Sequence, residues 1–268
     1  MKISLQVSKK LTMTIAAFML SNLSLAENTL SASNIISQSN KASYYAGDDG
    51  RAEARMLIVD SNGNKQMRQF TILRRDIEDE GDQDMLVFFS RPSDVKDTVF
   101  RVHKNVSGDD DRWLYLPAMD LVKRISAGDK RTSFVGAHFY YEDVSGRNPR
   151  EDDFEIIGST GDRYKLKATP KDTSSVEFSY YEVDIDKTTF LPMEATYYNE
   201  VDKAIRKMEV LKVTEIEGVP TVMHSRMSQL SDNSFTEMQF RNVNYDLGLP
   251  QDIFSERSLR SPPKNWLK

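Results

Sequence analysis

The sequence predicts a mainly β protein built on an antiparallel sheet, and three observations carry that prediction. From Arg51 to Tyr245, run after run alternates apolar with polar residues at period two. Turn-forming residues separate these runs at hairpin intervals. No helical period between them is long enough for the crossover that parallel strands require. Helical character is confined to pieces of residues 129–143 and a turn around residues 252–259, so the class is mainly β with a minor helical part (α+β).

Residues 1–26 have the composition of an export signal. Lys2, Lys9 and Lys10 precede a short apolar run, and Ser24-Leu25-Ala26 supplies the small-x-small pattern, so cleavage is expected after Ala26. The run is too short and too interrupted for a membrane span, which needs roughly 20 apolar residues. Residues 27–50 are polar and Ser/Asn-rich, an N-terminal arm or short helix, and residues 51–268 are expected to form a single β domain.

Residues 52–59 and 66–73 flank Asn62-Gly63 and read as one hairpin. Residues 85–89, 99–102, 113–116 and 121–125 continue the series, the last two pairing across residues 118–120. After an irregular stretch come residues 163–168, 176–184, 193–198, 205–213, 222–229 and 236–245. Val176, Phe178 and Tyr180 alternate with Glu177 and Ser179, as Met238 and Phe240 do with Glu237, Gln239 and Arg241. Such strands make a sheet with one wet face, and either a second sheet or a cavity can meet the other.

Composition narrows the function. Removing the signal takes three lysines and no acids, leaving 33 basic against 41 acidic residues, a formal charge of −8. That balance argues against a nucleic-acid partner. The chain has no cysteine, so neither a disulfide framework nor a lipid-modified cysteine is expected, and core burial must hold the fold.

Catalytic signatures are missing. His103, His138 and His224 stand on separate segments, and no serine-nucleophile motif occurs. His138 with Glu142 or Asp143 has helical metal-ligand spacing, but a surface or hydrogen-bonded histidine is the plainer reading. The acidic runs Asp109-Asp110-Asp111 and Glu151-Asp152-Asp153 read as solvated turns. No enzyme activity, metal or cofactor is expected. What the chain offers is apolar excess, with 12 Met and 24 Phe or Tyr residues, a set that suits either an adaptable core or an apolar ligand site.

The stretch from Trp113 carries a resemblance. Trp113-Leu114-Tyr115-Leu116-Pro117, Val122-Lys123-Arg124-Ile125, Ser133-Phe134-Val135-Gly136 and Phe139-Tyr140-Tyr141-Glu142-Asp143 resemble the WLYLP, VRRI, SFMG and F-S-Y-E-D signatures of the outer-membrane lipoprotein-sorting family, relatives of the LolA and LolB carriers. Pro92-Ser93-Asp94-Val95-Lys96 resembles the family's P-x-D-V-K segment, and residues 253–259 its C-terminal LF-x-x-R-x-L. Asp97 stands where the family usually has glycine, Arg101 where leucine is common, and His138 where aspartate is common.

The resemblance implies a strongly curved antiparallel sheet forming an unclosed β-barrel, with a few helices as a lid over an apolar cavity for lipid acyl chains. It places the strands at 113–116 and 121–125 in the middle of that sheet. It also implies a soluble periplasmic lipid or lipoprotein carrier; the alternative is an accessory protein of an inner-membrane exporter of the resistance-nodulation-division type, acting by contact. Strand alternation then nominates Phe70, Ile72, Phe88, Phe100, Leu114 and Leu116 as cavity residues, with Phe178, Tyr180, Met238 and Phe240 from the later strands. Residues 128–141 become the lid, where Phe134, Phe139 and Tyr140 close over an acyl chain. Exposed Lys123, Arg124, Lys130 and Arg131 are the candidate partner contacts.

Overall fold

The computed structural model describes residues 30–267; the export signal expected over residues 1–26 lies outside them. The first element is helix α1 (Ala32–Tyr44), started by Ser31, whose hydroxyl accepts the Asn34 N–H at 3.2 Å. Six strands follow as a meander: β1 (Asp49–Val59), β2 (Lys65–Asp76), β3 (Gln83–Arg91), β4 (Val99–Lys104), β5 (Asp111–Leu116) and β6 (Leu121–Ile125). An irregular stretch holding the short helix α2 (Tyr141–Ser145) leads to a second meander. Its strands are β7 (Asp152–Thr160), β8 (Arg163–Pro170), β9 (Tyr180–Asp186), β10 (Pro192–Tyr198), β11 (Ala204–Ile216), β12 (Val219–Gln229) and β13 (Ser234–Tyr245).

β13 pairs with β1, which joins the meanders into one antiparallel sheet of order β6-β5-β4-β3-β2-β1-β13-β12-β11-β10-β9-β8-β7. β6 and β7 are its unpaired edges, so the barrel is unclosed. This corrects one expectation: the 113–116 and 121–125 strands lie at an edge of the sheet and not in its middle, because β13 and not β6 joins the second meander. β7 is a strand the alternation did not show.

Turn chemistry sets the register. The Asp60 carboxylate accepts the Asn62 and Asn64 N–H groups, both at 2.9 Å, and Gly63 takes φ +81° between β1 and β2. Asp97 has φ +65°, a left-handed conformation that accounts for glycine being usual at that position.

The sheet is buried on both faces in its first half. On the inner face Phe70, Phe89, Phe100, Leu114 and Ile125 pack against Phe134 and Tyr141 from the segment after β6. On the outer face Leu73, Leu86 and Val99 are covered by Leu249, Ile253, Phe254 and Leu259 of the C-terminal strap. The strap ends in α3 (Arg257–Arg260) and a last turn at Lys264–Trp266. Arginines of the outer face hold its backbone: Arg75, Arg101 and Arg51 donate to the carbonyls of Leu249, Phe254 and Trp266. The strap thus shields apolar strand surface that would otherwise face water.

Candidate functional site: an apolar cavity beneath a clamped cover

The cavity lies on the inner face, in the half of the sheet that the cover leaves unfilled. Its walls come from β1, β2 and β3, from β10 to β13, from the C-terminal end of α1, and from Phe139, Asp143, Val144 and Arg147 of the cover. It encloses about 420 Å³, within the roughly 300–1,000 Å³ of small-molecule sites. Met85, Met208 and Met227 line it together with Val144, Val210 and Phe240. The thioether side chains make a wall that adapts to differing apolar shapes.

The cover, residues 130–147, is fixed by buried charge. Glu142 is 5% exposed and meets Lys130 at 3.0 Å, Arg131 at 2.9 Å and Arg147 at 3.3 Å. Burial favours its neutral form, but Arg147, Arg131 and Lys130 outweigh that and hold the carboxyl below the usual carboxylate range. Arg147 also forks onto buried Asp152, with both nitrogen to oxygen distances 2.7 Å. The Lys104 ammonium donates to the Ser145 and Gly146 carbonyls at 3.0 and 2.9 Å. Gly146 is needed where it stands: its φ is +83°, and a Cβ there would sit 2.8 Å from the Tyr44 ring of α1.

The other end of the cover is fastened to β11 and β13. Arg206 donates to Asp143 at 2.5 Å and to the His138 carbonyl at 3.0 Å, and its guanidinium lies 3.8 Å from the centre of the Tyr140 ring. His138 bonds Thr236 through Nδ1 and Ser234 through Nε2, both at 2.8 Å. Burial, with Arg206 nearby, lowers the imidazole below its ordinary range although Asp232 opposes this. Among the described residues no group of three or more His, Asp or Glu is placed to hold a metal ion.

The nominated residues separate into distinct places. Ile72, Phe139 and Phe240 line the cavity. Phe70, Phe100, Leu114, Phe134 and Met238 are on the inner face but sit in solid core, with Leu116 packed against it. Phe134 is the reason: its ring lies 5.5 Å from Phe100 and 6.2 Å from Phe70, filling the space expected to be cavity. Phe88 is on the outer face beneath the strap, since Val87 and Phe89 take the inner positions.

Phe178 and Tyr180 do not share a setting. β9 begins only at Tyr180, so Phe178 lies outside the strand and packs on Tyr181 and Tyr197, while Tyr180 stacks on Tyr198. Tyr140 lies under Arg206 and does not line the cavity.

Of the candidate partner contacts, Lys123 and Arg124 are exposed, Arg124 pairing with Asp111. Lys130 and Arg131 are not exposed, because Glu142 and Glu151 draw them into the clamp. The acidic runs also differ from solvated turns: Asp110 is bonded to buried Arg112 at 2.6 Å, and Asp152 is buried at the start of β7. Met208, Met227, Val210 and Arg206 were not nominated, although period two in β11 and β12 puts the first three on one face.

No helix among the described residues is long and apolar enough to cross a membrane. No curated protein is significantly similar to the chain. A family model described only as "uncharacterized protein" matches residues 81–261. A DUF1329 family protein from Desulfovibrio piger is 29% identical, with TM-score 0.77 over 86% of this chain and 100% of that one. An outer membrane lipoprotein-sorting protein domain from Vibrio parahaemolyticus is 23% identical, with TM-score 0.77 over 84% of this chain and 97% of its own. A LolA superfamily protein from Nitrosomonas europaea is 15% identical, with TM-score 0.65 over 85% and 99%. The last two likenesses show the fold. The chain therefore belongs to the family whose model matches residues 81–261, and has the fold of the outer-membrane lipoprotein-sorting and LolA-type proteins.

Proposed function

We propose that the protein is a periplasmic carrier that shields a lipid or lipoprotein acyl chain in the cavity between α1, the cover and strands β10 to β13. The observation that supports this best is the wall itself: three methionines, four valines and Phe240 line a space that the protein's own side chains leave unfilled. Transfer of a chain from water into that wall stabilises the complex by about 0.8 kcal/mol per methylene, with no covalent chemistry. Ile72, Phe139, Met208 and Phe240 are the residues assigned to chain contact.

In this reading the cover is a wall and not a swinging gate, since breaking the Glu142 cluster would strand buried charge. Helix α1 is the lighter element, with Ile35 and Ser39 its only buried residues. Titration of the purified protein with the uncharged fluorophore N-phenyl-1-naphthylamine, alongside native mass spectrometry of protein from the envelope fraction, tests the proposal. Saturable uptake and a co-purifying lipid are expected. A protein that is reproducibly empty and takes up no fluorophore would overturn it.

A further inference from the structure

The charged side chains around the cavity point to a specific kind of ligand end. Among the described residues four charged residues border it, Arg51, Arg74, Asp143 and Arg147, with the Arg51 side chain itself lying on the outer face against the strap. Each is already engaged within the protein. Arg51 bonds Glu53 and the Trp266 carbonyl. Arg74 donates to the carbonyls of Tyr44, Ala46 and Gly47 and to Asp76. Asp143 accepts from Arg206 and from the Tyr140 N–H, and Arg147 forks onto Asp152. A carboxylate drawn in beside them would meet arginines already committed to protein acceptors, and an ammonium would meet an Asp143 already paired with Arg206, so either would be desolvated without a free partner.

Neutral polar residues also line the cavity, among them Ser225, Tyr197 and, where β12 begins and β13 ends, a pair hydrogen-bonded to each other. The Thr221 Oγ1 and Tyr245 hydroxyl are 2.8 Å apart, and Thr221 donates its proton to the Val219 carbonyl at 3.0 Å. Thr221 has one hydroxyl proton, so the Tyr245 hydroxyl must be the donor between them. Both protons are then engaged, and what the pair still presents is oxygen lone pairs. Such a pair receives a hydrogen-bond donor and has nothing to give an acceptor.

We propose that the cavity prefers an apolar chain ending in an uncharged hydrogen-bond donor, a hydroxyl or amide N–H, held by Thr221 and Tyr245. The inference rests on the acyl-chain reading above and adds a head-group preference to it.

Displacement of N-phenyl-1-naphthylamine by five ligands of equal chain length tests it: lauryl alcohol, lauramide, methyl laurate, laurate and laurylammonium. The alcohol and amide are expected to displace at concentrations at least about tenfold lower than laurate and laurylammonium, because only the latter bury an unpaired charge. They should also outcompete the methyl ester, which accepts but cannot donate. In Tyr245→Phe and Thr221→Val the advantage of alcohol over ester should vanish, with an unchanged melting temperature as the sign of an intact fold. Laurate or laurylammonium binding as tightly as the alcohol, or the alcohol's advantage surviving both substitutions, would overturn the preference. Absence of fluorophore binding in the unaltered protein would instead remove the acyl-chain reading itself.

Discussion

Arg206 on β11 and Asp143 on the cover meet at 2.5 Å, with the arginine side chain only 3% exposed. This pair joins the cover to the second half of the sheet, so the cavity wall depends on it. Arg206→Met should lower unfolding stability by about 3–5 kcal/mol, the usual result of leaving one buried partner unpaired. Urea denaturation measures it, and the double variant with Asp143→Asn should recover part of the loss.

Core and cavity should respond differently to substitution. Leu114→Ala, in the solid core, should cost about 2–5 kcal/mol of stability and leave fluorophore affinity unchanged. Met208→Glu, in the cavity wall, should abolish uptake with a smaller loss of stability. Paired thermal melts and fluorophore titrations check both.

Acid should weaken the cover in a defined window. Glu142 has its carboxyl held below the usual range in the fold. A depressed acid adds stability that is full above its unfolded value, roughly pH 4.3, and is lost as pH falls through the folded value. Unfolding free energy measured from pH 7 to 3 should therefore drop at the acid end, and Glu142→Gln should reduce the slope.

His138 acts at higher pH with the same sign. Its imidazole is kept below its ordinary value chiefly by burial, so the neutral ring is the one that fits Thr236 and Ser234. Stability from this group is complete above roughly pH 6.5 and falls as pH drops through the folded value. Protection of the 134–141 amides, measured relative to their intrinsic exchange rate at each pH, should fall between pH 7 and 5 in the unaltered protein and lose that dependence in His138→Gln.

Much of this architecture is legible in the sequence because one-sided strands repeat at period two, and the paired runs around Asn62-Gly63 fix a register by turn chemistry alone. β7 escaped because its Ile156-Ile157 pair breaks alternation at a bulge against β8 and its first residues are acidic. The clamp escaped for a different reason. Lys130 and Arg131 read as surface charges until the fold brings them to Glu142 and Glu151, beside Arg147 and Asp152. Nor does period two say what fills the space above a strand: Phe70 and Ile72 share a face, yet Phe134 covers one and leaves the other at the cavity.

The most direct measurement fills the cavity and asks whether binding goes with it. Val210→Trp and Met208→Trp place bulk in the space of about 420 Å³ without touching the Glu142 clamp or the strap. Isothermal titration with lauryl alcohol should show one site in the unaltered protein and none in the filled variants, whose melting temperatures stay near or above the parent's. Undiminished binding in well-folded filled variants would contradict an apolar cavity as the ligand site.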